Sequence, residues 1–195
     1  MNPSDKRVIR TKTAIVNEFK KMICKLDSGD ITVRELADRI GISRKTFYTH
    51  FDSLETLFLF VIDEIVEQYM DKMRKLAIPI DIVDQTRVFF EYYCNQEPYV
   101  ERIMCNPTYV YYSDLLTQKA VSENAKRYFP TESMPPIERR LVSTYLIGSS
   151  VGLYRQWVRD KKEMPLERLI DISCALISSG YKSVVKSKNA SGPNS

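Results

Sequence analysis

Residues 33–50 read VRELADRIGISRKTFYTH, and the interpretation of the chain begins from this stretch. Thr32, directly before it, forms with Glu35 the pattern of a capping box, which marks the start of a helix. Gly41 can adopt the positive φ that a tight turn demands, so it is expected to end that helix. Ser43 caps the next short helix. Two short helices joined by such a turn are typical of a helix-turn-helix, whose second helix can enter a major groove of DNA.

The rotation of about 100° per residue predicts which side chains of this second helix, over 44–50, face outward. Phe47 and Phe51 are placed inward, against the first and fourth helices. The outward surface then has Lys45 and Thr49 at its centre, Thr46 and Tyr48 beside them, and Arg44 and His50 at the edges, within reach of phosphates. Short hydroxyls, a lysine and a tyrosine suit a mixture of base-edge and backbone contacts. The alternative is that Arg44 and Lys45 form only a solvated basic turn.

The positive charge of the chain is concentrated at its N-terminus. The net charge is +4, and residues 1–52 hold 11 Lys and Arg against 7 Asp and Glu, whereas residues 53–195 hold 18 of each. All of the excess therefore falls in the first quarter of the chain. This asymmetry indicates a polyanion as the partner of the N-terminal part alone.

Apolar residues recur at helical spacing throughout, and no alternation is long enough to predict a strand. A first helix is predicted over 7–26, and a long fourth helix runs from its cap Ser53 towards Leu76. Prolines then separate helices that are predicted near 81–95, 97–105, 108–128, 137–160 and 165–186. The expected fold class is all-α. Its parts are a three-helix helix-turn-helix DNA-binding domain over 1–52, a helical body over 53–186 and a disordered tail over 187–195.

The stretch ITVRELADRIGISRKTFYTHF over 31–51, followed by an amphipathic fourth helix, resembles the DNA-binding domain of the tetracycline-repressor (TetR/AcrR) family. The resemblance covers roughly residues 8–60 and rests on the turn 41–43 and the run 46–51. It implies a homodimer that binds a palindromic operator in double-stranded DNA. It also implies that the C-terminal body serves for dimerisation and for binding a small-molecule effector that releases the DNA.

Carried over position by position, the resemblance adds Thr32 and Arg34 as phosphate contacts and assigns the reading surface to the six polar side chains over 44–50. One position departs from the family pattern, since many members have a lysine where this chain has Leu54. One phosphate contact per head is therefore expected to be missing. Its loss would weaken DNA binding without changing sequence preference and would flatten the salt dependence by roughly 0.9 per phosphate.

Aromatic residues concentrate in 89–112, where eight fall within 24 positions. Tyrosine offers an apolar face with a polar tip, which suits a pocket for a flat or amphipathic ligand. A pocket is predicted around Tyr92, Met104, Tyr109 and Tyr112. Ordinary core packing is the alternative for each of these side chains.

Gly148 and Gly152 lie about one turn apart on a predicted helix, where small residues let another backbone approach closely. That approach can occur within the body or across a self-complementary two-fold interface. The family resemblance favours the last two helices as the dimerisation bundle.

The segment 148–152 also matches the G-x-S-x-G pattern of a hydrolase nucleophile elbow. It falls within a predicted helix rather than after a strand, and the one histidine of the chain, His50, precedes Ser150. No Cys or carboxylate spacing supports a metal site, and no glycine loop could cradle phosphates. We therefore expect no enzyme, and no catalytic residue, metal or cofactor.

The longest uninterrupted apolar run, 57–62, has six residues, whereas a membrane helix needs about 20. No targeting segment is visible, and four scattered cysteines suit a reducing cytoplasm. The expected protein is cytoplasmic, has no membrane partner and controls transcription at specific sequences, as a repressor relieved by a small molecule. Two alternatives stay open: a DNA-binding activator or partner-controlled member without such a ligand, and a helical protein-interaction adaptor with a structural helix-turn-helix.

Overall fold

The computed structural model describes residues 3–77, 80–127 and 134–190. Over these residues the chain forms helices and no strand, so the all-α prediction is confirmed. The helices are α1 (Pro3–Ile23), α2 (Val33–Ile40), α3 (Arg44–Tyr48), α4 (Leu54–Met73), α5 (Ile82–Cys94), α6 (Pro98–Cys105), α7 (Val110–Arg127), α8 (Pro136–Arg159) and α9 (Leu166–Ala190). Two 3-10 turns, Ser28–Asp30 and Pro107–Tyr109, precede α2 and α7.

The helix boundaries differ from the predicted ones where a proline opens a helix. α1, α6 and α8 begin at Pro3, Pro98 and Pro136, because the first turn of a helix does not need the N–H that proline lacks. The helix predicted from 108 starts instead as the 3-10 turn Pro107–Tyr109. At the other end of the chain α9 continues four residues past 186, to Ala190, and residues 191–195 of the expected tail lie outside the described part.

The chain divides into two compact units. The head unit holds the described residues up to Ile65 together with Glu97–Leu115, and the body unit holds Val66–Gln96 together with the described residues from Leu116 onwards. The helices α4 and α7 each contribute residues to both units. The second segment of the head unit, 97–115, carries α6 and the start of α7.

The core of the head unit is apolar and rich in phenylalanine. Phe19, Leu36 and Phe47 have no exposed surface, and Phe58 is 2% exposed. The rings of Phe19 on α1 and Phe58 on α4 meet edge to face with centroids 4.6 Å apart. Each such side chain contributes roughly 1.5–3 kcal/mol to stability by its removal from water. This core fixes α2 and α3 on α1 and α4.

The core of the body unit is built mainly from α5, α8 and α9. Ile82, Leu146 and Ile177 form an apolar cluster, one from each of these helices. A second group consists of aromatic rings, in which Tyr93 packs 4.7 Å from Phe89 and 6.5 Å from Tyr154, centroid to centroid. None of the four cysteines forms a disulfide; Cys174 is buried and the other three are half-buried. None of the helices in the described part combines the length and the apolar character needed to cross a membrane.

Candidate DNA-binding surface

The turn between α2 and α3 is set by backbone hydrogen bonds and one left-handed glycine. Thr32 Oγ1 accepts a hydrogen bond from the backbone N–H of Glu35 at 3.2 Å and caps α2. Gly41 has φ +70° and ψ 35°. The next residue, Ile42, donates a 3.0 Å hydrogen bond from its backbone N–H to the oxygen of Ala37, which closes the turn. Because a Cβ strains this backbone conformation, glycine suits the position. The predicted cap and the predicted turn are both confirmed.

The capping box of α2 is only half formed. The carboxylate of Glu35 does not return to Thr32 in the described hydrogen bonds but accepts from Arg39 Nη2 at 2.8 Å. Arg39 also lies 3.5 Å from Glu18 on α1. The hydrogen bond that Arg39 donates to Glu35 raises the pKa of the Arg39 guanidinium above its ordinary value. Arg39 therefore ties α2 to α1 and its charge is already paired, so it is not counted among the DNA ligands.

The short helix α3 is held by its cap and by buried rings. Ser43 Oγ accepts from the N–H of Thr46 at 3.0 Å. Phe47 is fully buried and Phe51 is 4% exposed, and Phe51 meets Phe60 of α4 edge to face at 5.6 Å. The inward orientation predicted for both phenylalanines is confirmed. Because the phenylalanine side of α3 is anchored in the core, the remaining side chains of this helix point away from the core.

The opposite side of α3 is open to solvent. Arg44, Lys45 and Thr49 are exposed, and Tyr48 keeps 52% of its surface exposed although its ring edge packs on Phe47. Two further predicted contact residues, Thr46 and His50, are half-buried at the flanks of this surface. Neither Arg44 nor Lys45 forms an ion pair with any described residue. Both cations are therefore free to meet an anionic partner.

The two threonines of α3 have part of their hydrogen-bonding capacity in use. Thr49 Oγ1 donates to the backbone oxygen of Thr46 at 2.6 Å. Its hydroxyl oxygen can then act towards a ligand only as an acceptor, beside an exposed methyl group. Thr46 Oγ1 shares a 2.9 Å hydrogen bond with Ser43 Oγ. These bonds fix the side-chain rotamers of both threonines before any partner arrives.

The start of α2 adds a second polar patch. Thr32 and Arg34 are exposed, and Arg34 Nε lies 3.9 Å from Asp38 Oδ2, with 84% and 72% of the two side chains exposed. Such an exposed pair holds the guanidinium weakly, so Arg34 can turn to another anion. Leu54 is the first residue of α4 and is half-buried. No positive charge stands at the position where many family members have a lysine.

Three of the four residues predicted to line a pocket belong to the head unit. The hydroxyl of Tyr109 donates to the oxygen of Leu26 at 2.7 Å, and Met104 is 2% exposed. The ring of Tyr112 stacks on Phe58 with centroids 3.8 Å apart and an interplanar angle of 14°. The structure brings Tyr109 and Tyr112 together at Phe58, where they pack α7 on α4. Their role as ligand contacts stays a prediction.

The fourth residue, Tyr92, belongs to the body unit. It is 5% exposed and packs edge to face on Tyr93 at 4.8 Å. Its hydroxyl approaches Gln68 Oε1 at 3.5 Å. Tyr92 and Tyr93 are therefore both buried, although they are consecutive residues of α5 and point in different directions.

Gly148 and Gly152 lie on the exposed surface of α8. A Cβ built on either glycine would meet nothing within 4 Å among the described atoms, so none of the described helices packs closely there. Ser150, between them, is 3% exposed and its hydroxyl donates to the oxygen of Leu146 at 2.9 Å. The G-x-S-x-G segment is therefore mid-helix and has none of the geometry of a nucleophile elbow.

The structure also contains a groove that the sequence analysis did not predict. It lies in the body unit between α7 and α8 and has a volume of about 830 Å³. Arg139 and Arg140 on α8 face Thr117 and Val121 on α7 across it. The Arg-Arg pair is visible in the sequence, but its partners on α7 come together only through tertiary packing.

Comparison with known proteins supports the assignment of the helix-turn-helix. Residues 29–61 match the model of the tetR family of bacterial regulatory proteins. This match spans Thr32, the turn at Gly41, all of α3 and the first turns of α4. No curated protein sequence is similar enough to this chain to register as a match.

Solved structures resemble this chain along most of its length. NalD, described as the secondary repressor of the MexAB-OprM multidrug efflux pump in Pseudomonas aeruginosa, superposes with a TM-score of 0.68 at 16% identity, covering 89% of this chain and 96% of that one. A TetR transcriptional regulator from Streptococcus agalactiae gives 0.64 at 17% identity, covering 89% and 97%. AibR, in complex with isovaleryl coenzyme A and operator DNA, gives 0.54 at 14% identity, covering 85% and 96%.

At these identities the structural likeness shows the fold, and the match over residues 29–61 identifies the helix-turn-helix. The fold is that of the TetR-type regulators over both units. Residues 29–61 therefore match the DNA-binding region of the tetR family, and the chain as a whole has the all-α fold of solved TetR-type regulators.

Proposed function

We propose that this chain controls transcription as a homodimer that binds a palindromic operator in double-stranded DNA and that a small-molecule effector releases it. The observation that carries DNA recognition is the outward side of α3. There Arg44, Lys45, Tyr48 and Thr49 are exposed on a helix whose other side is anchored by the buried Phe47. In this proposal residues 1–52 read the operator, and residues 53–186 bind the effector and dimerise.

Phosphate contacts position the head on the duplex. Thr32 and Arg34 stand at the start of α2, where free backbone N–H groups and the helix dipole favour an anion. Arg44 and His50 lie at the two ends of the α3 surface, within reach of the sugar-phosphate backbone on either side of a groove. These contacts set affinity and register and carry no base preference of their own.

Base contacts come from the centre of α3. Lys45 is a free donor that can reach the O6 and N7 acceptors of guanine in the major groove. Thr49, with its hydroxyl hydrogen already committed, offers an acceptor and a methyl group, which suit an amino group or the methyl of thymine. Thr46 and Tyr48 flank them and add a hydroxyl each. We therefore expect that a few side chains of α3 set the base preference in each half-site.

Self-association is supported by the exposed apolar side chains of α8 and α9. Ile137, Leu141 and Tyr145 follow one another at four-residue spacing on α8 and are 62%, 67% and 42% exposed. Gly148 and Gly152 continue the same side of the helix towards its C-terminus, and Leu176 on α9 is 57% exposed. An apolar stripe of this kind is stabilised by pairing with a second copy, and a two-fold pairing would be self-complementary.

Release by an effector requires that the ligand prefer a conformation that does not fit the operator. α4 is one continuous helix with Leu54–Ile65 in the head unit and the residues from Val66 in the body unit, so a displacement of α4 involves both. Two neighbours support this regulation for the present chain: NalD is described as a repressor, and AibR was solved with a coenzyme A ester and operator DNA. We place the action of this chain in the cytoplasm, where it would meet such DNA.

The test is selection of bound fragments from random duplex DNA, followed by affinity measurements on the selected site. We expect a palindrome whose half-sites are spaced by about one helical turn, roughly 10 base pairs, or more. The variant Lys45→Ala/Tyr48→Ala should lose about a hundredfold in affinity or more, since each good base contact is worth about 1–3 kcal/mol. Dimer mass and helicity should not change.

The matched control is Lys72→Ala, which removes an exposed lysine from α4 outside the head unit and should bind like the original chain. Unchanged affinity in Lys45→Ala/Tyr48→Ala would show that α3 is not the reading surface. A chain indifferent to every duplex at low ionic strength would instead favour a protein-interaction adaptor.

A further inference from the structure

The groove between α7 and α8 has the size and the lining of a small-molecule site. Its volume of about 830 Å³ falls within the range of about 300–1,000 Å³ that ligand pockets occupy. Val121 and Ala125 of α7 and Pro136 of α8 give it apolar walls. Thr117 and Thr144 add a hydroxyl and a methyl group from each side. The groove lies wholly within the body unit.

Two guanidinium groups line this groove and form no ion pair within the part of the chain that the structure describes. Arg139 is half-buried and Arg140 is exposed, and neither forms an ion pair with a described residue. A third cation, Lys126, already pairs with Glu123 at 3.0 Å. A partly buried cation without a partner is costly, and the cost falls when an anion binds it. Arginine pairs carboxylate and phosphate groups with two parallel hydrogen bonds, which adds geometric selectivity.

We propose that this groove binds an anionic amphipathic small molecule. Its carboxylate or phosphate head pairs with Arg139 and Arg140, and its apolar body lies along Val121 and Ala125. The inference rests on the proposed function, because it assigns a chemical class to the effector of that regulator. It assigns the effector to a groove that none of the four residues predicted to line a pocket helps to form.

The first test uses three probes of equal chain length with the full chain: decanoate, decyl phosphate and decanol, below their aggregation concentrations. Calorimetric titration should show binding of at least one of the two anions at least tenfold tighter than that of decanol. The tighter of the two distinguishes a carboxylate effector from a phosphate ester. Decanol binding as tightly as both anions would overturn the proposal.

The second test removes the charges. Arg139→Gln and Arg140→Gln should each weaken the preferred anion by about ten- to a hundredfold, the range expected for loss of a charge-assisted hydrogen bond. Arg159→Gln, an exposed arginine at the far end of α8, is the matched control and should bind as before. Equal binding in all three variants would overturn the proposal.

Operator binding, measured on the same variants, distinguishes this inference from the proposed function. Release of the operator by the anion in the original chain, lost in Arg139→Gln/Arg140→Gln, would support both. Anion binding that depends on the two arginines but leaves the operator complex intact would support the groove and contradict effector release. If the anion releases the operator equally well in that double variant, the proposal for the groove is overturned, whereas the proposed function of the chain as a regulator stands.

Discussion

The hydroxyl of Tyr109 donates a 2.7 Å hydrogen bond to the backbone oxygen of Leu26, 83 residues earlier in the chain. The same oxygen accepts from Arg102 Nη2 at 3.1 Å, and that nitrogen also reaches Asp27 Oδ1 at 2.9 Å. Side chains at α6 and at the 3-10 turn before α7 therefore hold the segment that follows α1. This explains how residues 97–115 come to belong to the head unit.

Tyr109→Phe should destabilise the chain by about 1 kcal/mol, the usual net contribution of one hydrogen bond, because Arg102 still satisfies the Leu26 oxygen. Arg102→Gln should cost more, since the bond to Asp27 is charge-assisted. Denaturant unfolding at neutral pH measures both. Tyr111→Phe, which removes an exposed hydroxyl bonded to Glu55, is the control and should change stability little. A Tyr109→Phe variant as stable as the original chain would show that the hydrogen bond contributes nothing.

Alkaline pH should weaken the fold through the same tyrosine. Burial raises the pKa of Tyr109 to about 12 from an ordinary value near 10. The unfolded chain therefore loses this proton at a lower pH than the folded chain does. Its contribution to stability is complete below pH 10 and is lost as the pH rises from 10 to about 12. Between pH 8 and pH 11 the free energy of unfolding should fall less in Tyr109→Phe than in the original chain. An equal fall in both would contradict this assignment.

Gly41→Ala should lower stability by about 1–2 kcal/mol, because a Cβ at φ +70° meets the steric cost of the left-handed region. DNA affinity should fall further than stability predicts, since the turn at Gly41 sets the direction of α3. Gly29→Ala is the control: its φ is not in the left-handed region, a Cβ there meets nothing within 4 Å, and we expect a change within about 0.5 kcal/mol. Unfolding and operator titration of both variants decide the outcome, and equal stabilities of the two would contradict it.

The head was predictable because its signals are local. Thr32, Gly41 and Ser43 each act on residues within four positions, through caps and one backbone angle. The placement of Phe47 follows from helical period alone. The carboxylate of Glu35 departs from prediction, because Arg39 one turn later competes for it. A capping pattern predicts the start of a helix more reliably than it predicts both of its hydrogen bonds.

The remaining architecture depends on contacts that leave no periodic trace. Nothing in the spacing of Leu26 and Tyr109 indicates that they meet. The aromatic-rich run 89–112 passes from the body unit into the head unit at Glu97, and aromatic density alone predicts burial without indicating which unit each ring enters. The groove between α7 and α8 combines Arg139 with Val121 from another helix. Only tertiary packing brings these two regions of the chain together.

Leu141→Lys should break the proposed dimer. Leu141 is 67% exposed at the centre of the α8 apolar stripe, and burial of one leucine contributes roughly 1.5–3 kcal/mol. A two-fold interface loses this contribution twice and gains two facing charges, so the dissociation constant should rise about a hundredfold or more. Mass measured by light scattering over a concentration series should shift towards the monomer at unchanged helicity.

The control for this prediction is Leu59→Lys, a 40% exposed leucine of the head unit, which should remain dimeric. An unchanged dimer in Leu141→Lys would place the subunit interface elsewhere on the chain.

Leu54→Lys should restore the phosphate contact that the family pattern predicts at the start of α4. Leu54 is half-buried directly after the capping residue Ser53, so a lysine stem can follow the same path and bring its ammonium group to solvent. A cation at a helix N-terminus costs roughly 0.3–1 kcal/mol of stability, so the variant should unfold slightly earlier. Operator affinity should nevertheless rise at low salt. The slope of log affinity against log salt should steepen by roughly 0.9 per head, or about 1.8 for the dimer.

Preference among operator variants should stay the same, because phosphate contacts carry no base information. Leu59→Lys adds the same charge to the exposed side of α4 five residues further on and should leave the slope unchanged. An unchanged slope in Leu54→Lys would mean that the start of α4 does not approach the backbone of the duplex. A changed base preference would mean that it lies in the groove, and either result would alter how the head is placed on DNA.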